Sequence, residues 1–188
     1  MSNRNIIIIG ISTGGPITLR RLFQGLPILN GSILIVQHMR KVGNLPLAES
    51  LNSLTKMDVR IANDGELLKQ GVVHIVPSEV HLELTNNRLM KLVHKPKVCY
   101  VRPSVDVTMK SVRKQNGDNI TGMIMTGIGR DGAEGSAHIK SIGGVVFAQD
   151  QESSVIWGMP KAAIDLGCVD HVLSPEGMRQ MLISQMGG

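Results

Sequence analysis

Apolar residues recur along this chain in two rhythms. Residues 6–9 are four consecutive isoleucines closed by Gly10, and 32–37 (Ser-Ile-Leu-Ile-Val-Gln) is a second apolar run. Short unbroken runs of this kind, rich in β-branched residues, predict strands buried on both faces of a parallel sheet. Further strands are expected at 58–62, 72–76, 119–125, 145–148 and 169–173, with Asn63-Asp64-Gly65 as a turn. Between them lie segments with helical spacing: 16–26, where Leu19, Leu22 and Phe23 share a face, then 46–54, a helix from Ser104 to about Gln115, and 131–141, 160–166 and 175–184. Pro16 suits a first helical turn because its missing N–H would be unpaired there anyway. Ser104 and Ser174 are placed as N-caps, and Gly167 ends the helix before it. Residues 81–84 and 88–93 alternate about Asn86-Asn87 and predict a β-hairpin, and 95–102 reads as a basic loop.

Strand and helix alternate almost throughout. The expected fold is therefore α/β, a doubly wound, mostly parallel, Rossmann-like sheet with helices on both faces and one β-hairpin. The 188 residues predict a single domain, 1–188, with no linker, repeat or low-complexity tract. Aromatics are only 2% of the chain, so the core must rest on aliphatic residues, with the 11 methionines filling gaps. Cys99 and Cys168 lie far apart in apolar surroundings and read as free buried thiols of a reducing compartment. Met1-Ser2-Asn3-Arg4-Asn5 leads straight into the first strand without a signal peptide, and no apolar stretch is long enough for a membrane helix. The chain is read as cytoplasmic.

Net charge is +5, and the excess is local. Arg88, Lys91, Lys95, Lys97, Arg102, Lys110, Arg113 and Lys114 face one acid, Asp106, over that stretch. It could steer an acidic partner to one face, or be an ordinary solvated face. Nucleic acid is disfavoured, because stacking side chains and a recognisable binding motif are both missing.

In doubly wound sheets, ligands bind beyond the carboxyl ends of the strands. Three loops there carry chemistry. Gly10-Ile11-Ser12-Thr13-Gly14-Gly15-Pro16 matches G-x-S-x-G, a tight turn that exposes a serine hydroxyl beside a helix N-terminus; such turns also bind phosphates. Gln37-His38-Met39 places a histidine as general base, or as a structural group. Thr126-Gly127-Ile128-Gly129-Arg130-Asp131-Gly132 places an aspartate that either orients a histidine or caps the next helix. The chain order Ser, His, Asp differs from that of α/β-hydrolases.

These stretches, with Arg102-Pro103-Ser104-Val105-Asp106 and the block from Ala148 to Pro160, resemble the catalytic domain of the chemotaxis receptor methylesterases, the CheB family. The blocks appear in the same order and cover residues 5 to about 175. The resemblance implies a protein-glutamate methylesterase that hydrolyses glutamate γ-methyl esters on the cytoplasmic helices of methyl-accepting chemotaxis receptors, and deamidates receptor glutamines as a further activity. It implies Ser12 as nucleophile, His38 as general base and Asp131 as its orienter. It places Thr13, His81 and Met159 among site-lining positions and the backbone N–H of Ile128 at the oxyanion. It implies no metal and no organic cofactor. By the same analogy the receptor helices are acidic, and Lys91, Lys95, Lys97, Arg113 and Lys114 are candidates to dock them. Two departures stand out: Ile128 replaces a usual methionine, and Val42-Gly43-Asn44-Leu45-Pro46 follows His38 where the family has Phe-Thr or Phe-Ser. Full-length members carry an N-terminal receiver domain, whereas this chain opens at the first catalytic strand, as a stand-alone enzyme or an excised domain would. The rival readings are a serine hydrolase of another ester and a non-catalytic domain that binds receptors or a phosphate-bearing ligand.

Overall fold

A computed structural model describes residues 4–187; Met1-Ser2-Asn3 of the lead and Gly188 lie outside them. Seven strands run parallel in one sheet: β1 (Arg4–Ile11), β2 (Ser32–Gln37), β3 (Asp58–Ile61), β4 (Val72–Ile75), and, after a separate hairpin of β5 (His81–Leu84) and β6 (Met90–Val93), β7 (Asp118–Ile124), β8 (Val145–Gln149) and β9 (His171–Leu173). Their order across the sheet is β3-β4-β2-β1-β7-β8-β9. The chain leaves β1 toward β2 on one side and later returns to β7 on the other. The switch point of the sheet thus falls between the carboxyl ends of β1 and β7.

The isoleucine run explains the layering. Successive strand side chains point to opposite faces. Ile7, Ile9 and Ile11 enter a core with α1 (Gly15–Phe23), α2 (Asn44–Asn52) and α6 (Pro175–Met186). Ile6 and Ile8 enter a second core with α3 (Val105–Ser111), α4 (Ala133–Ser141), α5 (Gly158–Asp165) and the hairpin. Met109, Met123, Met125 and Met159 are fully buried, as gap-filling methionines should be.

Several expectations are corrected. The hairpin forms, but its second strand starts at Met90, not residue 88, so the connection spans 85–89; it closes through Thr85 N–H to the Leu89 carbonyl at 3.0 Å. Arg88 sits there in the left-handed region at φ 64° and is buried in an ion pair with Asp118, so it leaves the basic face. α3 stops at Ser111, short of Gln115, because Val112 turns extended and is fully buried in the second core. The basic loop contains a tight turn in which Val98 bridges Val101 and both Cys99 and Tyr100 are left-handed. Cys168 is buried as expected, but Cys99 is exposed. Both predicted serine caps form: Ser104 Oγ accepts from Val107 N–H and Ser174 Oγ from Gly177 N–H.

No helix among the described residues is long and apolar enough to cross a membrane.

Candidate active site

Ser12 and His38 are placed by one register. Ile11 pairs with Gln37 across β1 and β2, and Ser12 and His38 are the next residues of each strand. Parallel strands lie about 5 Å apart, so the two side chains emerge side by side. His38 N–H donates to the Ile11 carbonyl at 3.0 Å. Gln37, buried beneath them, donates its amide to the carbonyls of both Ser12 (3.0 Å) and His38 (2.9 Å). On the other flank, Ser12 N–H donates to the Thr126 carbonyl at 2.9 Å, which ties the loop after β1 to the loop after β7.

That second loop approaches closely because residue 127 is glycine. A Cβ there would lie 2.7 Å from Ser12 Cβ and 2.3 Å from Met159 Sδ. Met159 therefore packs behind Ser12 and Gly127 and is fully buried. The loop after β8 closes this wall: Gln149 accepts from Thr126 N–H at 2.8 Å, and Gly127 N–H donates to the Ile156 carbonyl at 2.9 Å. Thr13 and Ile128 stand at the exposed rim, and neither backbone N–H has an acceptor among the described residues.

Asp131 meets His38. The His38 Nε2–H donates to Asp131 Oδ2 at 2.9 Å, with both side chains largely buried. Asp131 also accepts from Ser104 Oγ (2.7 Å), Val105 N–H (2.7 Å) and Asp106 N–H (3.1 Å). Asp131 therefore does not cap α4, the helix that follows it; it caps α3. Burial pushes its carboxyl up, but the bonds from His38, Ser104 and the two amides outweigh this and hold it below the ordinary carboxylate range. It is ionised at neutral pH. His38 spends Nε2 on Asp131, and Nδ1 is unbonded among the described residues.

His81 is fully buried and reaches this site through Ser104. Its Nδ1 accepts from Ser104 N–H at 3.1 Å, and Nε2–H donates to the Pro96 carbonyl at 2.9 Å. Cys99 Sγ comes within 4.8 Å of the Asp106 and Asp131 carboxylate oxygens. Burial first, then those charges, push its thiol up and keep it protonated. Both Asp131 oxygens are themselves taken up by the donors already named. Of the departing loop, 41–43 forms a single 3-10 turn, with Val42 and Leu45 exposed. A cavity of about 320 Å³ lies far from all this, at the amino ends of β1 and β2, lined by Arg4, Asn5, Gly31 and Ser32.

Sequence reading missed Gln37, Thr126 and Gln149 as parts of the site. Their signal was polarity at the ends of apolar strands, which points to a buried hydrogen-bonding role but not to its partner.

A profile of the CheB methylesterase family matches residues 7–182. The chain is 39% identical to a protein-glutamate methylesterase/protein-glutamine glutaminase of Pyrococcus horikoshii over 96% of this chain and 50% of that protein. It is 38% identical to the Escherichia coli K12 protein of the same name, over 99% of this chain and 54% of that one. The chain thus spans about half the length of the curated relatives it matches. The crystal structure of the Thermotoga maritima CheB methylesterase catalytic domain superposes with a TM-score of 0.90 at 36% identity, covering 98% of this chain and 99% of that one. The three strand-end loops, their register across β1, β2 and β7, and these likenesses agree: the chain belongs to the CheB methylesterase family.

Proposed function

We propose that the chain acts as one catalytic domain that hydrolyses glutamate γ-methyl esters on the cytoplasmic helices of chemotaxis receptors and deamidates glutamines at the same site. The observation that carries this reading is the bond from His38 to an Asp131 held by three further donors, one residue across the sheet from Ser12. Ser12 Oγ attacks the γ-carbonyl carbon as His38 Nδ1 takes its proton. The carbonyl oxygen becomes an oxyanion facing the N–H groups of Ile128 and Thr13, which have no acceptor among the described residues. Its collapse breaks the bond to methoxide, which leaves as methanol with the proton from His38. Water then attacks the acyl-Ser12 ester, giving its proton to His38 and releasing glutamate and the serine hydroxyl. A glutamine follows the same path with ammonia as leaving group. Asp131 stays ionised and stabilises the imidazolium in both steps.

Electrostatics supports an acidic segment as substrate. Lys91, Lys95, Lys110 and Arg113 line a groove of about 600 Å³ between the hairpin and α3, and among the described residues only Lys95 of these pairs with an acid, Glu83. Lys97 and Lys114 are exposed but lie outside that groove.

The test is methanol release from methyl-esterified receptor membranes by wild type and by Ser12→Ala at matched folded fraction. Release by wild type, lost by at least about 10³-fold in the variant, is expected. Equal release by both would remove Ser12 as the nucleophile. Release by neither, with turnover of small esters by wild type alone, would point to another ester substrate.

A further inference from the structure

Two buried carboxylates are exchanged between two helices. Asp131 directly precedes α4 but accepts from the first amides of α3. Asp106 lies in the first turn of α3, and its Oδ1 accepts from the amides at the start of α4, Gly132 N–H at 3.0 Å and Gly135 N–H at 2.6 Å. The N-terminal amides of a helix have no partner within the helix. Here each helix supplies the acceptor for the other. The contact is close: a Cβ at Gly135 would meet Met109 Cβ at 2.7 Å and Asp106 Cα at 3.2 Å. Asp106 is only 4% exposed and touches neither Ser12 nor His38 by any hydrogen bond, so the catalytic sequence above does not use it.

His38 is fixed from β2, whereas Asp131 belongs to the loop between β7 and α4. The separation of 2.9 Å between their bonded atoms therefore depends on the α3 donors that hold the carboxylate and on where the α4 start carries the Asp131 backbone. Asp106 bonds that start, at Gly132 and Gly135, from the first turn of α3.

We propose that Asp106 is a positioning residue: by clasping the start of α4 to the start of α3 it holds Asp131 where its carboxylate orients His38. This rests on the reading of Ser12, His38 and Asp131 as the catalytic set.

Two variants separate position from charge. Asp106→Asn keeps an acceptor oxygen in place and removes the charge. Asp106→Glu keeps the charge and moves the acceptor out by one methylene, about 1.5 Å. Both keep an acceptor for α4, and urea unfolding checks that both fold. The readouts are kcat and KM on a methyl-ester peptide, and the NMR signal of the His38 Nε2 proton. For Asp106→Glu, kcat should fall about 10- to 100-fold with KM within about twofold, since displacements near 1 Å cost this much. Its His38 proton signal should shift or broaden. Asp106→Asn should keep kcat within about threefold and the wild-type signal. Retention of both by Asp106→Glu would overturn the proposal. So would a loss in Asp106→Asn as large as that in Asp106→Glu, because charge would then be the agent. If wild type hydrolyses no ester, the catalytic reading fails, and the His38 signal alone decides the positioning claim.

Discussion

Gly127→Ala should displace Ser12, the proposed nucleophile, while leaving the protein folded. The new Cβ would sit 2.7 Å from Ser12 Cβ and 2.3 Å from Met159 Sδ, with Met159 Cγ at 3.2 Å. Ordinary carbon contacts need about 3.5–4.0 Å, so Ser12 and residue 127 must separate by roughly 1 Å. The thioether of Met159 can swing away at moderate cost. Ser12 Cβ cannot, because it is bonded directly to the backbone, and that backbone is tied to the Thr126 carbonyl at 2.9 Å. Residue 127 is equally pinned, donating to Ile156 and accepting from Met159 N–H at 2.9 Å each. Overpacking of this kind costs about 1–3 kcal/mol of stability, and a displacement near 1 Å costs about 100-fold in kcat. Gly122→Ala is the control, in β7, the strand that precedes the Gly127 loop. Its Cβ meets only the end of Met109, at 3.3 Å, and Ile139 Cγ1 at 3.6 Å, so stability should change by less than about 1 kcal/mol and turnover should persist. The assay is hydrolysis of a methyl-ester peptide beside urea unfolding. Turnover by Gly127→Ala within about threefold of wild type would refute the claim that this close approach sets the position of Ser12.

Two further outcomes are expected. His74 is fully buried in β4 with both ring nitrogens lacking a hydrogen-bond partner among the described residues; burial lowers its pKa, and Glu66 offsets this only in part. The unfolded state therefore takes up the proton first, and stability should fall as pH drops below about 6.5; His74→Gln should lose that slope in urea unfolding between pH 7 and 5, and an unchanged slope would assign the acid sensitivity elsewhere. Replacing Lys91, Lys110 and Arg113 together by glutamine should raise KM for a glutamate-rich methyl-ester peptide about 10-fold at low salt and flatten its salt dependence, leaving turnover of a small neutral ester intact. No change in either would return these cations to an ordinary solvated face.

Local chemistry made much of this molecule legible. Four β-branched isoleucines in a row, closed by glycine, read as a strand buried on both faces, and they divide as period two requires, with Ile7 and Ile9 to one core and Ile6 and Ile8 to the other. The serine caps at Ser104 and Ser174 form where the residue types predicted. Boundaries failed where burial overruled local preference. Val112 ends α3 because the second core takes its side chain, and Arg88 enters a left-handed turn because Asp118 holds its guanidinium.

The sequence by itself determined which chemical groups stand at strand ends: a hydroxyl after β1, an imidazole after β2, a carboxylate after β7. Strand order brings those ends together, and it follows from packing between segments more than 100 residues apart, which no local pattern encodes. Only the tertiary structure decided what Asp131 does. From sequence it was a cap for its own helix or a partner for a histidine. In the fold it serves His38 and the amides of α3, while Asp106 serves α4 in its place. That exchange depends on two helix starts meeting at one point, a relation that exists only once the sheet has set where each helix begins.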